Sequence, residues 1–414
     1  MIYLLVLAML LWVAYYRTHS KPSPSKATPK KKLFAHDANE PIPEPTPLRI
    51  TPDDVREYDD RPWRPFRWPY HQTMSIYKLP INHWLDMDKY YWHYIEEKKR
   101  ILHQYGDENI SWLPESHDAC VELMETVRTH MLKRYPLLFE SSDGGVTMLN
   151  KLTGEHIDMS EPLQHHPLVY VSKMAKEDFY IVQQRDDGKH YLVAACVAFP
   201  GGSFGIKGIL GTHLDHIHEL VPFYETKLKP SMERWFGKME PADLVERGSW
   251  YITWDHKLFR NNIYALKEGK KVHSGIPPTE FNVRVDRQTL RRLPRTRAIV
   301  FTAHPLFYSI EEMKDEPMVP SLLRKIIYEA PESIIRYKSF YKLRDHISHY
   351  LDGLVARQVE LGLIEADAEV RTLPTYPFAH FIGQQEEIYG WRNPSESRAE
   401  NYEEKAKAEI GPGD

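Results

Sequence analysis

Residues 212–222 read Thr-His-Leu-Asp-His-Ile-His-Glu-Leu-Val-Pro, which places His213, His216 and His218 close together with Asp215 among them. Neutral imidazole is a good ligand for haem iron and for zinc. Haem iron is served by one histidine, whereas zinc needs three or four ligands around it. On a helix His213 and His216 share a face and His218 points elsewhere, so the segment favours one-ligand chemistry. Three solvated histidines at a helix end are the plain structural alternative. A second chemical segment is 284–297, which carries Arg284, Arg287, Arg291, Arg292, Arg295 and Arg297, with Asp286 and Gln288 among them. Guanidinium forks bind carboxylates in pairs of hydrogen bonds. Suitable partners are carboxylates or phosphates of a ligand, or neighbouring Asp and Glu in a structural network.

Two shorter patterns carry less. Gly201-Gly202-Ser203-Phe204-Gly205 matches G-x-S-x-G after an expected strand, the setting of a nucleophilic serine. The surrounding sequence lacks the strand–helix alternation of a parallel sheet, so a glycine-rich loop is the better expectation. Asp86-Met87-Asp88 is a D-x-D pair of the kind that holds a metal with a sugar nucleotide, but acidic residues also suit a helix start. No P-loop and no G-x-G-x-x-G is present, so nucleotide and flavin binding have no local support.

The elements expected to position these groups are mixed. Apolar spacing and Glu/Lys pairs predict helices over 84–105 and 117–134. Runs at 168–172, 178–183 and 190–198 predict strands, with an Asp186-Asp187-Gly188 turn between the last two. Trp250, Ile252 and Trp254 alternate on one strand face; Val283 and Val285 do so on the next, leaving Arg284 and Asp286 opposite. Residues 298–302 predict one more strand, and 320–361 a return to helix with Pro320 and Pro331 in first turns. The fold class expected is α+β, a short-stranded antiparallel sheet with flanking helices.

The chain has 414 residues, a formal net charge of −4 and two cysteines, Cys120 and Cys196. Its length allows a sizeable core. Its charge argues against nucleic-acid binding, and its cysteine count argues against an iron–sulfur cluster and for free thiols in a reducing compartment. Residues 1–16 are apolar throughout, and 1–17 read as a single-pass membrane anchor. The basic flank from Arg17 to Lys32 is expected to stay in the cytosol, with the endoplasmic reticulum as the expected membrane. Residues 18–60 read as a Pro/Lys-rich linker, 61–390 as the folded domain and 391–414 as a disordered tail.

Ordered stretches of the chain resemble the haem-dependent oxidative N-demethylase alpha-subunit-like family, in a fungal, membrane-anchored form. They are Arg61–Met74 with Trp84–Asp88, Cys196–Pro200 with Ile217–Pro222, and Arg284–Pro294. The resemblance implies a PAS-like antiparallel sheet holding haem b. It makes His218 the axial ligand of the iron, with His216 as the fallback. Arg284, Arg287 and Gln288 would line the haem or oxygen pocket, with Arg234 and Trp250 as further candidates, and Arg291 belongs to the cluster suited to haem propionates. The implied reaction is oxygen-dependent demethylation of a methylated amine. Its electrons would come from a separate reductase, because this chain has no flavin or iron–sulfur motif. Phe204 stands where the family commonly has Trp, and no substrate-binding carboxylate is identified. The competing expectations are a haem sensor or carrier of the same fold, and an anchored glycosyltransferase or serine hydrolase using Asp86, Asp88 or Ser203, glycosylated at Asn109.

Overall fold

The computed structural model describes residues 40–201, 205–259 and 275–381. The expected anchor, the linker up to residue 39, Ser203 with its neighbours Gly202 and Phe204, and the expected tail lie outside the described residues. Among the described residues no helix is long and apolar enough to cross a membrane.

In chain order the helices are α1 (Pro52–Glu57), α2 (Tyr91–Tyr105), α3 (His117–Arg134), α4 (Pro167–Met174), the single turns α5 (Ile206–Ile209) and α6 (Leu214–Ile217), α7 (Lys229–Lys238), α8 (Val319–Glu329), α9 (Glu332–Tyr337) and α10 (Arg344–Glu360). The strands are β1 (Tyr77–Lys78), β2 (Ile110–Trp112), β3 (Phe139–Glu140), β4 (Thr147–Asn150), β5 (Glu155–Asp158), β6 (Asp178–Gln184), β7 (His190–Cys196), β8 (Val245–Thr253), β9 (Asn282–Arg292) and β10 (Ile299–Ser309). Seven strands make one antiparallel sheet in the order β1-β8-β9-β10-β6-β7-β2, and β3-β4-β5 form a small separate one. The α+β expectation therefore holds.

Several boundaries differ from the sequence reading, each for a local reason. Residues 168–172 are helix, not strand: Pro167 occupies the first turn and the His166 side chain accepts the Leu168 N–H. Such a short apolar run fits either period, and the cap decides it. Helix α2 begins at Tyr91 rather than 84 and ends at Tyr105, followed by Gly106, whose positive φ suits a helix stop. Strand β10 runs on to Ser309 through Pro305. Pro305 is tolerated because β6 pairs with β10 only as far as Ala303, so no ladder bond is asked of the missing N–H on that side. The 320–361 helix is broken at Pro331 and at Ser339, which has a positive φ. Packing also begins before Arg61, since Ile50, Val55 and Tyr58 are buried in the core.

One face of the large sheet carries the two larger hydrophobic clusters. Phe179, Ile181, Val193 and Val300 join α3 and α4. Trp250, Val283, Val285 and Leu306 join α8, α9 and α10. Between them lies a buried ionic belt, in which Arg287 meets Asp86 at 3.1 Å and Glu246 at 3.4 Å, and Arg61 also pairs with Glu246. Burial alone would raise the Asp86 pKa, but Arg287 and His83 hold its carboxyl below the usual range. Lys176 pairs with Asp88. Both acids of the D-x-D pair are thus committed to basic side chains. Both cysteines are buried and free, and Asn109 is buried with its amide donating to the Val197 carbonyl at 2.6 Å.

Candidate functional site

The opposite face of the sheet is covered by the described residues between 197 and 239, part of the connection from β7 to β8. Its first half is stitched to β7: Gly211 N–H donates to the Leu192 carbonyl, and Leu192 N–H donates to Thr212. Gly211 has φ +80°, which makes glycine the natural residue at that turn. Between cover and sheet lies a cavity of about 310 Å³. Its floor comes from β6, β7, β8, β9 and β10 and its roof from the cover, with Met74 and Tyr337 contributing from elsewhere in the chain. Apolar side chains dominate both walls: Val182, Leu192, Leu290 and Phe301 below, Ile206, Leu214, Val221 and Met232 above.

Strand parity decides which polar groups reach this cavity. Alternate residues of a strand face opposite sides, and the β8–β9 register pairs Arg247 with Gln288 and Ser249 with Asp286. These four line the cavity. Arg287 and Arg291 have the other parity. Arg287 belongs to the ionic belt, and Arg291 lies 4.4 Å from the Trp84 ring, with burial lowering its pKa to about 10. Trp250 pairs with Val285 on that same far face, packed against Phe66 and Phe340. Arg284 has the cavity parity but is consumed locally. Its Nε donates to Asp286 at 2.9 Å, and its terminal nitrogens donate to the Leu258 carbonyl at 3.1 Å and the Phe199 carbonyl at 3.0 Å. Arg284 thereby fixes Asp286 and ties down the start of the cover.

In the cover, α6 spans one turn, with His213 before it and His218 after it. The three histidines separate. His213 lies in an adjoining surface groove beside Asp215. His216 is exposed and meets Glu219 at 3.1 Å. His218 lines the cavity. Its Nδ1 is 2.7 Å from the Leu214 carbonyl. A carbonyl can only accept, so the proton is on Nδ1 and Nε2 keeps its lone pair. The ring stacks on Tyr224, centroids 5.3 Å apart. The Tyr224 hydroxyl donates to Asp215 at 2.8 Å, and Lys229 pairs with Asp215 at 3.0 Å. Burial lowers the His218 pKa, the Leu214 carbonyl opposes this, and Arg247 adds to it, so the imidazole is held neutral. Arg234 lies on the exposed side of α7, 3.3 Å from Ser231.

Three groups that the sequence reading did not assign to a site stand on the cavity wall: Arg247, Ser249 and Asp286. Burial lowers the Arg247 pKa, and its Nε is a buried donor without a partner. The Gln288 Oε1 is a buried acceptor without a partner. Asp286 Oδ2 lies so close to Gly201 that a Cβ there would overlap it. Arg247 stands alone in its stretch, so no clustering announced it. Among the described residues, no group of three or more His, Cys, Asp or Glu side chains is arranged to hold a metal ion. The arrangement can therefore offer one neutral imidazole nitrogen, apolar walls and a short polar strip to whatever enters. A family model described as haem-dependent oxidative N-demethylase, alpha subunit-like, matches residues 75–348. That stretch is more than half of the chain and contains β1 through the start of α10, the whole cavity floor and the cover. The chain belongs to the haem-dependent oxidative N-demethylase alpha-subunit-like family.

Proposed function

We propose that this protein binds haem b between the sheet and the 197–239 cover, where His218 Nε2 would hold the iron, and catalyses oxygen-dependent N-demethylation of a methylated amine. The observation that carries the reading is His218 itself: a cavity-lining imidazole whose Nδ1 proton is committed to the Leu214 carbonyl, leaving Nε2 as the donor atom. Such a second hydrogen bond is how ligating histidines are oriented. The lining also suits a flat apolar group with polar margins, since both walls are aliphatic and aromatic while Arg247 Nε and Gln288 Oε1 lack partners. The PAS-like description is favoured by the strand order. Taken alone, β6 to β10 lie as β8-β9-β10-β6-β7, with the first hairpin at one side and the last strand in the middle.

Bound haem would supply the redox chemistry of oxygen activation, with electrons drawn from a separate reductase. Overall, the amine, oxygen, two electrons and two protons give the demethylated amine, formaldehyde and water. The chain's own residues do the rest. Leu214 and Tyr224 hold the imidazole in one tautomer and one plane. The aliphatic walls exclude water, so that polar contacts inside are stronger than at the surface. Gln288 and Ser249 offer hydrogen bonds on the floor. Asp286, held by Arg284, presents a carboxylate to a protonated amine. Arg284 acts through Asp286 as a positioning residue, and Arg287 and Arg291 support the floor from behind.

Haem-supplemented full-length protein, given an artificial electron donor, oxygen and a panel of methylated amines, tests the reading by formaldehyde release. A red protein that releases formaldehyde from at least one amine is the expected result. A colourless protein that also rejects added haem overturns it.

A further inference from the structure

Arg247 is the least satisfied cation of the site. The groups that bear on its charge are the hydroxyls of Tyr70, Tyr337 and Tyr376, not carboxylates. Among the described residues no ion pair or side-chain hydrogen bond of Arg247 is formed. Arg247 is half-buried with its Nε fully enclosed, and a guanidinium in that state beside an open cavity asks for an anion. The nearest acid on the same face is Asp286, two residues along the neighbouring strand from Gln288, which Arg247 directly opposes. Diagonal neighbours of this kind stand about 7–8 Å apart, and the two do not pair. Asp286 gives Oδ1 to Arg284. The cavity floor thus carries one acid held by another arginine and one base held by nothing, side by side and separated by about the span of a small zwitterion with its two contacts.

We infer that the amine handled here carries its own carboxylate, that is, an N-methylated amino acid, with its ammonium at Asp286 and its carboxylate at Arg247. This rests on the function proposed above and narrows it to a substrate class. A plain alkylamine satisfies Asp286 and leaves Arg247 bare, whereas the zwitterion satisfies both. Planar guanidinium recognition of a carboxylate also explains an arginine rather than a lysine at 247.

The test uses haem-loaded full-length protein and follows the Soret band during titration with N-methylglycine, N,N-dimethylglycine and dimethylamine. The two amino acids are expected to bind at least about tenfold more tightly than dimethylamine, a loss of one charged contact being worth that much. Arg247→Gln is expected to erase the preference while keeping haem, and Arg247→Lys to restore part of it. Equal affinity for all three in the wild type overturns the inference. So does an Arg247→Gln protein that loses haem, which would make Arg247 an anchor for a haem propionate. In both cases the haem enzyme reading survives. A wild-type protein that takes up no haem overturns that reading and this inference together.

Discussion

Arg287 and Arg247 are diagonal neighbours on adjacent strands, and they point to opposite faces of one sheet. Arg287 is buried and Arg247 half-buried, and their surroundings differ further. Arg287 has two carboxylates within 3.4 Å; Arg247 has none. On the far face charge is neutralised inside the fold, so the belt is architecture. On the cavity face Arg247 has no carboxylate partner and Gln288 Oε1 no hydrogen bond, and both border the cavity, so a ligand entering it can complete them. The same residue type at nearly the same height in the sheet is thus paired within the fold on one side and left open to the cavity on the other.

That contrast can be broken in order of expected effect. Arg287→Met leaves Asp86 with only His83 and Glu246 with only Arg61, and is expected to cost about 3 kcal/mol in urea unfolding. Gly201→Ala forces a methyl against Asp286, which Arg284 holds in place, and is expected to cost about 1–3 kcal/mol in the same measurement. Arg247→Met is expected to do the reverse. Removing an unsatisfied polar group should stabilise the haem-free protein by about 1–3 kcal/mol, a gain in stability bought at the expense of the site.

A smaller effect reports on the far face through pH. His130 packs edge-on to Trp84, and neither ring nitrogen has a partner. Burial, with Arg291 and Arg134 adding to it against Asp86, lowers its pKa to about 3 from 6.5. The folded state therefore refuses a proton that the unfolded chain accepts below pH 6.5. Stability from this group is complete above that value and falls as pH falls toward 3. Between pH 6.5 and roughly 5.5 the loss should be about 1 kcal/mol, and His130→Gln should remove that part of the slope in urea midpoints taken across the range.

Much of the scaffold could be read from the chain. Helix α3 falls at 117–134 as its apolar spacing implies, and the Val283–Val285 alternation correctly puts Arg284 and Asp286 on the other face. The same parity, carried two residues further, separates Arg287 from Gln288, so the arginine-rich segment serves two faces rather than one pocket. Residues 168–172 were ambiguous because four apolar residues and a serine suit either period, and only the Pro167 cap settles them. The histidine segment could not be divided by spacing, since a one-turn helix leaves its flanking residues free of helical geometry. Arg247 became visible only when pairing laid β8 beside β9.

The most direct measurement is the absorption spectrum of haem-loaded wild-type protein beside His218→Gly, with and without added imidazole. The account predicts a Soret band in the wild type, its weakening and shift in the variant, and its return when imidazole fills the space left beside the Leu214 carbonyl. A variant whose spectrum matches the wild type, indifferent to imidazole, would contradict the assignment of His218 as the axial ligand.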